Sequence, residues 1–403
     1  MKYSKQEVIQ YVLEDDVKFI RLAFCDVFGR QKNISIMPEE LPRAFEYGIA
    51  IDASAIAGFG DEMHSDLLLH PDPETLMILP WRPEHGKVVR MFTSITHPDG
   101  RPCVSDTRTL LKQAMQHAAA AGYNFAFGAE QEFYLFKLNE EGEPTKEPYD
   151  KAGYMDIAPE DKGENIRREI CLTLEQMGIR PESSHHEEGP GQNEIDFRYS
   201  DAIIAADNAL TFQTIVKTVA HRNGLYADFG PKPLPDQPGN GFHINMSVKA
   251  ADGAENMYYM IAGIMEKTAD MTAFLNPTEA SYKRFGSNKA PGYISWSEEN
   301  RSQLIRIPAA MGEYRRAELR SPDPTANPYL AFALLIYAGL YGIENKLDLP
   351  PAANINLYKA DTQTLAKYRR LPQDLRSACQ LAAESEFIRE YIPATILDAY
   401  CAR

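Results

Sequence analysis

The clearest pattern in the chain is the strict alternation of Phe242, Ile244, Met246 and Val248 with His243, Asn245 and Ser247. Strand side chains point to opposite faces in turn, so this run predicts a strand with one face on a core and the other on a cleft. The aromatic-rich run Gly128–Phe136 reads the same way, with Glu130 and Glu132 on one face and Gln131 and Phe133 on the other. In Arg315–Arg320 a strand would align Arg316, Glu318 and Arg320 opposite Ala317 and Leu319. Helical spacing governs residues 105–121, with Asp106 as N-cap and Leu110, Leu111, Met115 and Ala118 turned inward. Further helices are predicted over 162–178, where Ile166, Ile170, Leu172, Leu174 and Met177 are apolar, and over 201–224. Tyr329–Ile343 is almost wholly apolar behind Asn327 and Pro328, which predicts a capped core helix.

The N-terminal part predicts a helix over 4–16 and strands over 17–24 and 31–36, joined by the turn Asp26–Arg30. This opens a small β-rich domain. The turn cluster His97–Pro102 marks its end, giving domains at 1–102 and 103–403. A length of 403 residues with 44% hydrophobic content supplies core for both. The net charge of -15 argues against nucleic acid or an anionic membrane as partner, since both select basic patches. No run reaches a membrane span and the N-terminus lacks a signal-peptide pattern, so a cytoplasmic protein is expected. Five scattered cysteines without C-x-x-C fit reduced thiols.

Chemistry enters with the acids. Glu130 and Glu132 on one strand face would repel and need cations, and hard divalent metals favour such oxygen ligands. Gly189-Pro190-Gly191 predicts a hairpin that brings Glu187 and Glu194 together on adjacent strands. His185 and His186 read equally as polar turn residues or as site groups. The loop around Gly239 and Gly241 would let a ligand approach the backbone near His243. Glu318 between two arginines suits a polyphosphate–metal site: the carboxylate holds the cation and the guanidiniums neutralise oxyanions. Asp52, alone in the small-residue stretch Gly48–Phe59, is either a turn residue or a site acid.

Taken in order, Gly128-x-Glu130-x-Glu132-Phe133, His185-His186-Glu187, Gly191-Gln192-Asn193-Glu194, Gly239-x-Gly241-x-His243, Asn276-Pro277-Thr278, Tyr282-Lys283-Arg284, Asn300-Arg301-Ser302, Ile305-Arg306-Ile307-Pro308 and Arg316-x-Glu318-x-Arg320 resemble the motif set of glutamine synthetases, bacterial type I in particular. The resemblance runs from about residue 17 to the C-terminus. It implies an α+β fold, with a small N-terminal β-grasp domain and a large catalytic domain whose curved antiparallel sheet is flanked by helices. It implies rings of subunits, commonly dodecamers, with active sites shared between neighbours. Carried over by position, one Mg²⁺ or Mn²⁺ would be held by Glu132, Glu187 and Glu194, and a second by Glu130, His243 and Glu318. Arg284, Arg320 and Gly239 would hold glutamate, with His243 beside it. Arg301, Arg306 and Arg316 would address the phosphates of ATP, and Tyr199 and Ser247 would lie near the adenine. Asp52 and Tyr154 would bind ammonium and favour its deprotonation. The implied reaction is ATP-dependent ligation of ammonia to glutamate through a γ-glutamyl phosphate.

The chain departs from that pattern in places. Pro238 replaces a usual asparagine, and Asn245 replaces a second histidine near the phosphates. Lys289 stands where the loop after Arg284 usually carries a glutamate, in a loop one residue shorter. Pointing inward, Lys289 would repel ammonium and favour a neutral amine or reliance on Asp52 alone; the reading preferred is that the shortened loop turns it outward to water, because lysine is costly to desolvate. Asn356-Leu357-Tyr358-Lys359 resembles the tyrosine-bearing segment that some type I enzymes use for adenylylation, without predicting modification here. Two alternatives accompany the main reading: a ligase joining glutamate to an amine other than ammonia, and a catalytically weak regulatory or assembly homologue.

Overall fold

The computed structural model of the chain describes residues 3–402 except 61, 62, 83, 84, 254, 288 and 311. The N-terminal sheet is built from β1 (Val17–Cys25), β2 (Gln31–Ile36), β3 (Ile49–Asp52), β4 (Asp66–Pro71), β5 (Met77–Ile78) and β6 (Lys87–Thr96). Its order is β2-β1-β6-β4-β3, with β5 also on β6. The pair β1–β6 is parallel and the others antiparallel, a β-grasp arrangement. Helix Lys5–Glu14, capped by a reciprocal Ser4–Glu7 pair, packs Val8 and Val12 inward.

The larger sheet comprises β7 (Tyr123–Leu138), β8 (Pro144–Pro148), β9 (Pro181–His186), β10 (Gln192–Phe197), β11 (Ser200–Asp201), β12 (Leu225–Asp228), β13 (Phe242–Ala250), β14 (Trp296–Glu298), β15 (Ile305–Ile307) and β16 (Ala317–Leu319). The main path is β14-β15-β16-β13-β7-β10-β9. Its pairs are antiparallel except β14–β15 at one edge, which is parallel. Strand β7 changes partners along its length: β13 lies along its first half on one side, while β11, β10, β12 and β8 also pair with it. A 16-residue strand serving that many neighbours cannot stay flat, and the sheet curls around its cleft face.

The other face is core. Phe127 stacks on Phe332 of helix Pro328–Glu344 with centroids 4.5 Å apart, and Phe242 lies 6.2 Å from the same ring. That helix is capped by Asn327 with Pro328 in its first turn, as its sequence predicts. Asn327 also donates to Val27 O at 3.0 Å, tying the core helix to the β1–β2 turn.

Two helix faces carry detail that the apolar pattern does not specify. Leu172, on helix Glu164–Gln176, is 45% exposed, because the buried stripe there runs through Ile166, Arg167, Ile170 and Leu174. On helix Thr107–Ala120 the expected face packs on the core, with Leu111 and Ala118 fully buried and Leu110 and Met115 half-buried against it, and the buried face also includes Arg108. Arg108 is accepted inside because Asp207 takes both Nε at 3.0 Å and Nη2 at 2.9 Å.

Candidate active site

Strand register assembles the cleft. Glu130 stands opposite His243 on one side and Asp196 on the other, Glu132 opposite Glu194, and Glu318 opposite both Asn245 and Arg306. Five strands thereby place their polar side chains on one surface, and each cross-strand pair brings side chains within contact range. The expected division of faces holds: Gln131, Phe133, Phe242, Ile244 and Met246 are buried behind them.

His243 is the hub. Its Nδ1 lies 3.5 Å from Glu130 Oε2 and 3.8 Å from Glu318 Oε1, and its Nε2 lies 3.8 Å from Glu132 Oε1. Glu130, His243 and Glu318 offer ligand atoms close enough to share one ion, and so do Glu132, Glu194 and His243. Glu187, on the turn of the β9–β10 hairpin, groups with Glu194 and His185, whose Nε2 is 3.7 Å from Glu194. The groups Glu132, Glu187 and Glu194 are therefore neighbours, with His185 beside them.

The charges are unbalanced. Burial, followed by the charge on Glu132, pushes the Glu187 carboxyl up to about 7. Burial and Glu130 do the same to Asp196, also to about 7, and Glu194 is raised by burial together with Asp196 and Glu132. Among the described residues, Asp196 Oδ1 is buried without a hydrogen-bond partner. Carboxylates so placed call for a cation. The donor set, oxygens with one imidazole, fits Mg²⁺ or Mn²⁺.

Glu318 behaves oppositely. Burial alone would raise it, but Arg320, His243 and Arg306 hold it down at about 2. Both Arg306 Nε and Arg320 Nη1 donate to its carboxylate. Arg316 turns aside, its Nε donating to Asn245 Oδ1 at 2.7 Å, while Asn245 Nδ2 donates to Glu130 Oε1 at 2.7 Å. A cleft beside this row is lined by Gly128, Glu130, Asp196, Tyr199, Asn245, Ser247 and Arg316. Tyr199, Ser247, Asn245 and Arg316 thus share one pocket.

The glycine loop is required by contact distances. A Cβ on Gly241 would come within 2.6 Å of His243 Nε2, and one on Gly239 within 2.4 Å of Pro231 O and 2.6 Å of Arg284 Cγ. Gly241 N also donates to Glu132 Oε2 at 2.9 Å. Arg284 is buried and donates through Nη1 to Ser321 O at 2.9 Å and Pro322 O at 3.3 Å. Its Nε, that of Arg320 and the Tyr358 hydroxyl are buried without partners among the described residues, and Tyr358 feels the charges of both arginines.

Several supporting contacts were not foreseen. His186 is fully buried, with Nε2 2.9 Å from Asp150 Oδ1 and Nδ1 2.6 Å from Glu187 O. Asp150 also accepts from Gly191 N at 3.0 Å, and Arg167 links Asp161 to Asn193 Oδ1. Gln192 Nε2 donates to Glu132 Oε2 at 3.0 Å. These bonds hold the hairpin that carries Glu187 and Glu194. His186, Gln192 and Asn193 adjoin those glutamates in sequence, which was the available signal. Asp150, Asp161 and Arg167 are brought in only by the tertiary fold.

Two expected residues stand apart, and a third lies at the rim. Arg301 is exposed and makes no ion pair among the described residues. Asp52 lies exposed at the end of β3 in the other sheet, its Oδ1 accepting from Ser54 N at 2.9 Å and Ser54 Oγ at 2.7 Å. Tyr154 is 42% exposed at the cleft rim, its ring 5.5 Å from that of His185. Lys289 corrects the expectation of an outward lysine: its Nζ is 2.7 Å from Glu188 Oε1 and 4.6 Å from the centre of the Tyr154 ring. A carboxylate and a ring face take up part of its surroundings, and the side chain keeps 35% of its surface exposed.

Residues 16–98 match the family model described as glutamine synthetase, beta-Grasp domain, and residues 104–403 match glutamine synthetase, catalytic domain. A glutamine synthetase of Methanosarcina mazei is 43% identical over 417 residues, covering 99% of this chain and 93% of the relative. That of Clostridium saccharobutylicum is 42% identical over 416 residues, covering 100% and 94%. Among solved structures, GmaS in complex with ADP superposes with a TM-score of 0.88 at 28% identity, over 98% of this chain and 94% of that one. The glutamine synthetase of Plasmodium falciparum shares the fold, at a TM-score of 0.87, 21% identity and coverage of 100% and 95%. On the motifs, the register and these likenesses together, the chain belongs to the glutamine synthetase family and is an ATP-dependent ligase.

Proposed function

We propose that this enzyme ligates ammonia to the γ-carboxylate of L-glutamate, using ATP, and releases glutamine, ADP and phosphate. The observation that carries the reading is the buried Glu318, held ionised between Arg306 and Arg320 and facing His243 and Glu130. A carboxylate resists acylation of an amine, so ATP must first convert it to an acyl phosphate. Phosphoryl transfer spreads negative charge over the moving group, and fixed positive charge is what stabilises that state.

The roles follow from position. Glu130, His243 and Glu318 would hold one divalent cation and Glu132, Glu187 and Glu194 the other; bound there, such ions offset phosphate charge and orient the nucleotide. The pocket of Tyr199, Ser247, Asn245 and Arg316 takes the nucleotide. Arg306 and Arg301 neutralise its phosphates, although Arg301 must swing in from the surface to do so. Arg284 and Arg320, with Gly239, hold glutamate, and their unpartnered Nε groups supply donors for it. Asp52 and Tyr154 receive ammonium. Asp52 lies in a domain apart from the carboxylate cluster, which supports a site completed by the N-terminal domain of a neighbouring subunit in a ring.

A second reading, an acceptor amine other than ammonia, is favoured by Lys289 and its cation at the cleft rim. Phosphate release from ATP, measured with glutamate against ammonium and a panel of primary amines, decides between them. Glutamine formation with ammonium as the best acceptor is expected; brisk release only with a larger amine would replace the first reading by the second.

A further inference from the structure

The cleft rim already holds an ammonium group, and the chain itself supplies it. Lys289 has φ +64°, a left-handed conformation uncommon outside glycine and asparagine. Its carbonyl accepts from Arg320 Nη2 at 3.2 Å, so a buried site arginine fixes the turn. The side chain is thereby directed onto the hairpin, where Nζ meets Glu188 Oε1 at 2.7 Å and the Tyr154 ring at 4.6 Å. The Tyr154 ring in turn rests edge-on against His185, at 75°.

A ring face with an adjacent carboxylate is how proteins recognise ammonium and alkylammonium ions. The lysine ε-ammonium is itself a primary alkylammonium. We propose that Tyr154 and Glu188 form a recognition cradle for the cationic acceptor, and that Lys289 is its tethered occupant, which the acceptor must displace. This rests on the ligation reading above. A tethered competitor acts at an effective concentration in the millimolar range, so it raises the acceptor concentration needed for half-saturation without touching glutamate or ATP. The lysine and Glu188 side chains are 35% and 38% exposed, so the pair is weak enough to exchange. Lys289 is thus a specificity-determining residue for the acceptor.

Steady-state KM values for ammonium in Lys289→Ala, Lys289→Met and Lys289→Arg test this. The neutral variants should lower KM for ammonium roughly three- to tenfold, the arginine variant should stay within about twofold, and KM for glutamate should move less than about twofold in all three. Adding Glu188→Gln to Lys289→Ala should raise the ammonium KM again. An unchanged or higher ammonium KM in both neutral variants would overturn the proposal and leave Lys289 as a loop latch. A second measurement needs no turnover: acetylation of Lys289 by an N-hydroxysuccinimide ester, followed by mass spectrometry. Trimethylammonium chloride should accelerate it several-fold over sodium chloride at equal ionic strength, and equal rates would reject the displacement. Failure of the wild-type enzyme to release phosphate with any amine would instead defeat the ligation reading, with the labelling result still deciding the cradle.

Discussion

Arg306 and Glu318 are direct cross-strand partners, and their side chains close an ion pair inside the ladder. With Arg320 also donating, a carboxylate of no exposed surface is flanked by two guanidiniums. Glu318→Ala leaves both cations without their partner, which should cost about 3–5 kcal/mol of stability. Glu318→Gln keeps the shape and should cost less. Both should lower phosphate release roughly 100- to 1000-fold or more. Thermal unfolding and turnover at saturating Mg²⁺ check this, and undiminished turnover would remove Glu318 from the site.

The carboxyls of Glu187 and Asp196 give a pH dependence with a definite sign. Their folded values of about 7 lie above the ordinary values of 4.5 and 3.8. The folded protein therefore holds protons that the unfolded chain has already released, and this contribution to stability is lost as pH rises through about 7. Metal-free protein should melt about 2–5 °C lower at pH 8 than at pH 6. Mg²⁺ or Mn²⁺ should remove most of the difference, stabilising more at pH 8, where the ligands are deprotonated. A metal-free melting temperature that is flat or rising over this interval contradicts the charge imbalance.

Asp150 and His186 hold the hairpin without reaching the cleft. Asp150→Asn weakens the bond to His186 Nε2 and should loosen Glu187, whose carbonyl faces the other ring nitrogen. Metal affinity should fall roughly 10-fold or more. Calorimetric titration with Mn²⁺ reads it directly, and KM for glutamate serves as the internal control, since Arg284 and Arg320 lie on other elements.

Asp52 and Glu318 test the shared site. Each alanine variant alone should be inactive. Co-assembled in equal amounts, they should recover about a quarter of wild-type activity, because a quarter of the interfaces join an intact Asp52 to an intact cluster. Recovery near zero, with mixed oligomers present, argues for a site complete in one chain.

Much of this was legible because it is periodic. The alternation in Phe242–Val248 and the two glutamates of Gly128–Phe136 placed His243, Glu130 and Glu132 on a cleft face before any coordinates. The cap at Asn327 and the hairpin at Pro190 depend on local turn chemistry and were readable for the same reason. Lys289 was not: its side chain is held by Glu188 and the Tyr154 ring and its carbonyl by Arg320, contacts that no local pattern encodes. Nor was the Asp150–His186 contact, which joins a loop after β8 to the end of β9 through tertiary packing. The exposure of Leu172 was not legible either, because an apolar residue one step off the buried stripe of a helix looks the same in sequence as one on it.

The order in which β7, β10, β13 and β16 contribute to one surface has a consequence for synthesis. Glu130 leaves the ribosome long before Glu318, roughly 10–40 s earlier at ordinary elongation rates. Until β16 docks on β13, the nascent sheet exposes an acidic face without Arg306 and Arg320 in place beside it, and the edge of β13 is unpaired. A divalent cation bound at that stage would neutralise Glu130, Glu132 and Glu194 before Arg306 and Arg320 have been made.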